Sequence, residues 1–313
     1  MSSTDFEHAP ATAPEAGPAP SSGGRRLPRR YVAFGVIIVA IALLGTLVLV
    51  RDTYSPPSSP TVETFNPAPS SLVNMVASEP KSVYDTVGVN SPDSPVTPLR
   101  STATTKGGTA AMWRAGVNGG APKPVVFFYG AEFAPYAAAQ RWPLVLALSR
   151  FGTFRRIGLV QSSTTTAFAN VSTFTFYNTS YSSKYVTLES IERYGSLNPT
   201  GAKYLSLQTP DQRQRAAVAN YASSATTFPL LDVANRWVLN GSGITPSVLM
   251  GLSQDQIAGD LSSVASPLTQ AVISAANEIT ASICAVDGQQ PGSVCESRGV
   301  LAADQALGIT PTA

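Results

Sequence analysis

The residues of this chain that could do chemistry are few. Its 313 residues include two cysteines, Cys284 and Cys295, and one histidine, His8. A Ser-His-Asp or Cys-His device needs an imidazole beside its nucleophile, and zinc sites draw on histidine or several cysteines. His8 lies in an Ala-, Pro- and Ser-rich stretch, so neither supply exists, and no metal or cofactor is expected. Phosphate-loop and nucleophile-elbow patterns are absent as well. One turn does have the shape of a reactive site: Ala134-Pro135-Tyr136-Ala137. It follows the unbroken apolar run Val125 to Tyr129, which suits a strand covered on both faces. It opens a run of helix formers from Ala137. A helix N-terminus is where a flanking thiol would be made acidic, yet both flanking positions are alanine. Glu132, with no thiol to serve, reads as a surface or pairing carboxylate. Arg141 and Trp142 read as packing and helix-face residues. Tyr136 is the one group of the turn whose ring could contact a partner.

The segments that must carry this turn fall in order along the chain. Charged residues make up 13%, against about a quarter in an ordinary soluble domain. The net charge of +2 argues for no nucleic-acid surface. Residues 1–30 read as a disordered cytoplasmic tail ending in Arg25, Arg26, Arg29 and Arg30. Residues 31–50, Tyr31 to Val50, carry no charge, and at 1.5 Å per residue they span about 30 Å, a bilayer's hydrocarbon thickness. The run exceeds the roughly 7–15 residues of a signal-peptide core, so a retained single-pass anchor in the cell membrane is expected. The four arginines place the N-terminus in the cytoplasm and residues 51–313 outside; attraction to anionic lipid is a compatible second use. Residues 51–70, rich in Pro, Ser and Thr, read as a stalk.

Residues 71–122 read as a loop-rich extension, opening with a short helix broken by Pro80. Residues 123–300 read as an α/β domain with a central sheet and flanking helices. After strand 125–129 and a helix over 137–149 containing Pro143, FRRIGLVQS (154–162) reads as a second strand. The β-α-β order makes it the parallel partner of the first. Strands are also expected at 173–177 and at an edge over 185–191, with a helix over 211–222. A hairpin follows at 230–239, turning at Ala234-Asn235-Arg236. Helices are expected at 247–252, 254–261 and 266–283, and residues 301–313 read as a tail. Cys284 and Cys295, in an oxidising compartment, are expected to form a structural disulfide.

Strand, Pro-Tyr turn and helix together have the layout of a thioredoxin-type active site, where two cysteines would flank Pro-Tyr as C-P-Y-C. In such folds a cis-proline faces the turn, and Phe228-Pro229, just before the hairpin, matches it in order and spacing; the alternative is an ordinary proline opening an edge strand. The stretches VVFFYGAEFAPYAAAQRWPLVLALSRFGTF, FPLLDVANRWVLNG, VLMGLSQDQIA and ICAVDGQQPGSVC resemble the domain-of-unknown-function 929 family of archaea and actinobacteria. The resemblance runs from about residue 72 to 300. It implies a thioredoxin-like fold and, for members with C-P-Y-C, extracytoplasmic thiol-disulfide exchange. This chain departs from that pattern at Ala134 and Ala137. The expected function is therefore a membrane-anchored, non-catalytic protein binding an extracytoplasmic peptide or protein along the groove between the turn and Pro229. An envelope component that binds nothing there is a further reading. The enzymatic alternative is a thiol-disulfide oxidoreductase working through Cys284 and Cys295, or through positions 134 and 137 if those alanines replace natural cysteines.

Overall fold

The computed structural model describes residues 64–89, 96–104, 110–116, 119–198, 201 and 203–310. The expected tail and membrane span over residues 1–50, and most of the stalk, lie outside the described residues. Among the described residues no helix is long and apolar enough to cross a membrane.

Before the central sheet come two helices, α1 (Ser70–Ala77) and α2 (Lys81–Val87). Pro80 caps α2, as suits a residue with no N–H to leave unpaired. The extension is thus more helical than the expected loop-rich segment, because Leu72, Val76, Val83 and Tyr84 all find a core to enter. Two-residue strands β1 (Arg100–Ser101) and β2 (Arg114–Ala115) follow. Next come β3 (Lys123–Gly130), α3 (Pro135–Ser149), β4 (Gly152–Gln161), β5 (Ser172–Ser183) and β6 (Thr187–Glu192). Helix α4 (Gln212–Tyr221) leads to the hairpin β7 (Leu230–Val233) and β8 (Trp237–Asn240). The chain closes with α5 (Gln254–Asp260), the long α6 (Pro267–Asp287), the single turn α7 (Gly292–Cys295) and α8 (Arg298–Leu307). Residues 246–249 form a 3-10 turn instead of the expected helix.

The central sheet runs β1-β8-β7-β3, with β6 and β2 sharing the other side of β3. β6 is parallel to β3, while β7 is antiparallel to it and β8 antiparallel to β7. The β-α-β crossover is real, but its second strand is β6 and not residues 154–162. β4 instead pairs antiparallel with β5 in a separate two-stranded ribbon. The physical reason lies in Arg155 and Arg156. Both are exposed, whereas a central parallel strand is buried on both faces. A neighbour reached through a ten-residue connection is also cheaper to close onto. The edge strand expected at 185–191 is the one that completes the crossover.

β3 is buried on both faces, and its alternation divides two cores. Val126 and Phe128 enter the main one with α3 and α6; Val125, Phe127 and Tyr129 enter a smaller one under α4. The hairpin turns on Val233–Arg236, where the Arg236 N–H donates to the Val233 carbonyl at 2.9 Å. Ala234 and Asn235 both take positive φ, 55° each, as a turn matched to strand twist requires. The Asp232 carboxylate accepts from the Asn235 N–H at 2.8 Å and pins that geometry.

Helix α6 is buried almost end to end, so its polar side chains need partners. Asn277 donates to the Tyr84 and Gly88 carbonyls at 2.9 and 2.8 Å, satisfying the end of α2. The expected tail is helical through Leu307, because Val300 and Ala303 pack into the main core. At Gly299 a Cβ would strike the Tyr84 backbone.

Glu278 on α6 is fully buried. Burial pushes its carboxyl up from 4.5 to about 7, with the Leu99 amide drawing it back. A folded-state value above the unfolded one means that the native protein holds the proton more tightly. The group therefore costs nothing below about pH 4.5, and destabilises progressively as pH rises to about 7. Glu278→Gln should equal the parent in stability near pH 4.5 and exceed it by roughly 3 kcal/mol at pH 8. Urea unfolding at the two pH values tests this; a difference that is the same at both would refute it.

Candidate functional site

The 134–137 turn is set by backbone geometry. Gly130 ends β3 where a methyl group would meet the Phe128 ring and the Glu192 carboxylate. Ala134 is extended (φ −81°, ψ 121°) and caps α3 without a side-chain hydrogen bond; Pro135 follows inside the first turn. Ala134 is 7% exposed and Ala137 is 0%, whereas Tyr136 is 45% exposed. The turn buries both alanines and presents the tyrosine ring.

Around it the structure assembles aromatic groups that the sequence does not place together. The Tyr136 ring meets Phe168 edge-on at 5.8 Å. Phe133 stacks on Tyr204 at 4.0 Å and meets Phe228 edge-on at 5.9 Å. Phe228 in turn lies 5.2 Å from Tyr129 and 6.2 Å from Tyr194. The Phe228–Pro229 peptide is cis, and Pro229 itself is buried. The segments bearing the turn and Pro229 are thus joined ring to ring through Phe133 and Phe228. A cleft of about 810 Å³ opens alongside, lined by Gln161, Ser163, Thr165, Asn198 and Gln254 among others, with no charged side chain in its wall. The Ser163 N–H donates to the Phe133 carbonyl at 2.9 Å, and the Tyr204 hydroxyl donates to Ser163 Oγ at 2.7 Å. These bonds fasten the cleft wall to the turn.

Two acidic residues stand behind the turn, both buried. Glu132 is 2% exposed and accepts from the Thr175 hydroxyl. It is a hydrogen-bonded interior carboxylate and not a surface one. Arg141 is 0% exposed. Its Nε and Nη2 donate to the two Glu192 oxygens at 2.9 and 2.6 Å. The same carboxylate accepts the Phe176 N–H at 3.2 Å, and the guanidinium sits 5.5 Å over the Phe128 ring. Arg141 is therefore a paired core charge and not a helix-face residue. The available signal was a lone cation in an otherwise apolar helical run, which burial obliges to find a carboxylate.

Cys284 and Cys295 form a disulfide with Cα atoms 5.7 Å apart, and both are fully buried. It joins the end of α6 to α7, elements that contribute nothing to the turn. Among the described residues no cluster of His, Cys, Asp and Glu could hold a metal ion.

Fold and site together define a mixed α/β chain with a central sheet, flanking helices and an aromatic-walled turn at the head of α3. The chain belongs to the family described as Domain of unknown function (DUF929), whose profile matches residues 120–285. No curated protein and no solved structure matches it.

Two measurements follow from this geometry. Arg141→Met leaves Glu192 buried without its cation and should cost about 3–5 kcal/mol in urea unfolding, whereas Arg141→Met with Glu192→Leu should recover most of the loss. Equal losses in single and double variants would show that the pair is dispensable. The disulfide, being buried, should resist dithiothreitol and alkylation in the folded chain and react once urea unfolds it. Replacing both cysteines by serine should cost about 3 kcal/mol by loop-closure entropy.

Proposed function

We propose that this chain is a single-pass, N-in membrane protein with a thioredoxin-like extracytoplasmic domain that recognises a peptide or protein instead of exchanging thiols. The anchor rests on Tyr31 to Val50 and the arginines before it. A β-α-β unit followed by an antiparallel hairpin and a long helix supports the thioredoxin-like reading. Fold alone carries no activity, so the functional reading rests on the site.

The observation that carries it is the exposure of Tyr136 between two buried alanines. An aromatic ring held out from rigid elements offers contact area at low entropic cost, the quality that makes tyrosine frequent among binding hot spots. Beside it, hydroxyl and amide groups line an uncharged cleft, suited to hydrogen bonding with a peptide backbone. The chain holds no cysteine at the turn. Its only two are paired away from solvent, and a buried pair cannot meet the thiolate that exchange requires.

The test uses the full chain in membranes with a photo-crosslinking amino acid at position 136, and at exposed Met250 as control. A discrete polypeptide adduct from position 136 alone is expected, together with no insulin reduction by the purified protein. Identical labelling from both positions, or insulin turnover at the rate of a C-P-Y-C enzyme, would overturn the proposal.

A further inference from the structure

A second cleft lies beside Tyr129, between α4 and the segments around residues 193–194 and 223–226. Its volume is about 660 Å³, within the range of small-molecule sites. Val218 and Ala219 of α4, with Ala222 just past its end, make an apolar wall. Tyr129 and Tyr194 face them, and Arg193 and Arg215 both line the same space. No Asp or Glu lines it, and neither arginine forms an ion pair among the described residues. Two guanidiniums without a carboxylate partner, Arg193 half-buried and Arg215 exposed, line one small cleft, an arrangement that suits an anion between them.

Each arginine is anchored by a single nitrogen. Arg193 Nη1 donates to Ser206 Oγ at 2.7 Å and to the Gln208 carbonyl at 3.1 Å. Arg215 Nη1 donates to the Pro210 carbonyl at 2.6 Å. A guanidinium carries five N–H donors, so each is held in position with donors to spare. Arg193 also lies over the Tyr194 ring, 4.7 Å from its centre, which fixes the plane of its fork. The Tyr129 hydroxyl donates to the Ala225 carbonyl at 2.7 Å and holds the 223–226 segment as the opposite wall. Planar, pre-positioned forks suit two-oxygen anions, which they bind bidentately. The apolar wall suits a ligand with a hydrocarbon or aromatic body behind its charge.

We propose that this cleft binds the carboxylate of a small amphipathic acid, Arg193 and Arg215 holding the two oxygens and the α4 wall covering the body. The proposal does not rest on the peptide reading of the turn, since no residue of 134–137 takes part.

Calorimetric titration of the full chain in detergent tests it with three probes of like size. Hippurate carries a carboxylate on an aromatic, peptide-like body; hippuramide keeps the body and removes the charge; phenyl phosphate changes the anion. Hippurate should bind saturably, more weakly as salt is raised, and hippuramide at least about tenfold more weakly. Arg215→Gln should weaken hippurate by about tenfold or more while leaving hippuramide unchanged. Arg193→Gln, checked for folding by circular dichroism because that residue also fastens residues 206–208, should do the same. Equal affinity for hippurate and hippuramide, an unchanged affinity in Arg215→Gln, or no saturation by about 10 mM hippurate would each overturn the proposal. Binding of phenyl phosphate tighter than hippurate would overturn it in favour of a phosphate-ester site.

Discussion

The buried pair between Arg141 and Glu192 is the interaction on which the rest of the domain closes. Glu192 ends β6, the strand that must return parallel to β3 after a long excursion through the β4–β5 ribbon. Arg141 sits midway along α3, the helix that begins the crossover. The carboxylate also takes the Phe176 N–H of β5, and the guanidinium covers Phe128 of β3. Four elements therefore meet on two charges. Removing such charges from water is expensive, and the attraction repays it only when geometry is close and the remaining lone pairs are satisfied. The bidentate contact and the extra N–H supply close geometry and fill the carboxylate's acceptors, while Arg141 Nη1 is left without a hydrogen-bond partner. A register slip of one residue in β6 would turn Glu192 to the opposite face and strand Arg141 in the core, so the pair also selects the register.

How much of this was readable beforehand depends on how local the cause was. The turn at 134–137, the hairpin at 230–240 and the capped helix from Asp211 each follow from a few adjacent residues, and each stands where its residues place it. Pro80 marked a helix boundary for the same reason. The partner of β3 was not local. FRRIGLVQS had the length and composition of a strand, but its two arginines needed solvent on the outer face, and the strand that satisfied β3 lay some 30 residues further on. The aromatic surround was also illegible, since Phe133, Phe168, Tyr204 and Phe228 come from four separated segments. The helix over 298–307 was missed because its apolar face is narrow and makes sense only against α6.

The two cores divided by β3 serve different ends. The larger is closed by α6, two of whose polar residues reach other segments: Asn277 donates to the end of α2, and Thr280 accepts from Arg150. The disulfide adds its constraint at the end of this same helix. The smaller core lies beneath α4 and shares Tyr129, Val218 and Ala222 with the second cleft. Phe228 belongs to both neighbourhoods, touching Phe133 on one side and Tyr129 on the other.

This division bears on what alanine at positions 134 and 137 means. The head of α3 has free N–H groups with no side-chain cap, and their field would favour negative charge on an adjacent thiol. With alanine on both sides that field has no ionisable group to act on. The backbone conformation, by contrast, owes nothing to sulfur: it is fixed by Gly130, by Pro135, by the ring contacts of Phe133 and by the ion pair behind it. Alanine at both positions therefore leaves the turn without reactive sulfur and without loosening it, and Tyr136 stays exposed. On the reading proposed above, the same strand, turn and helix that would position a reactive thiol position the Tyr136 ring instead.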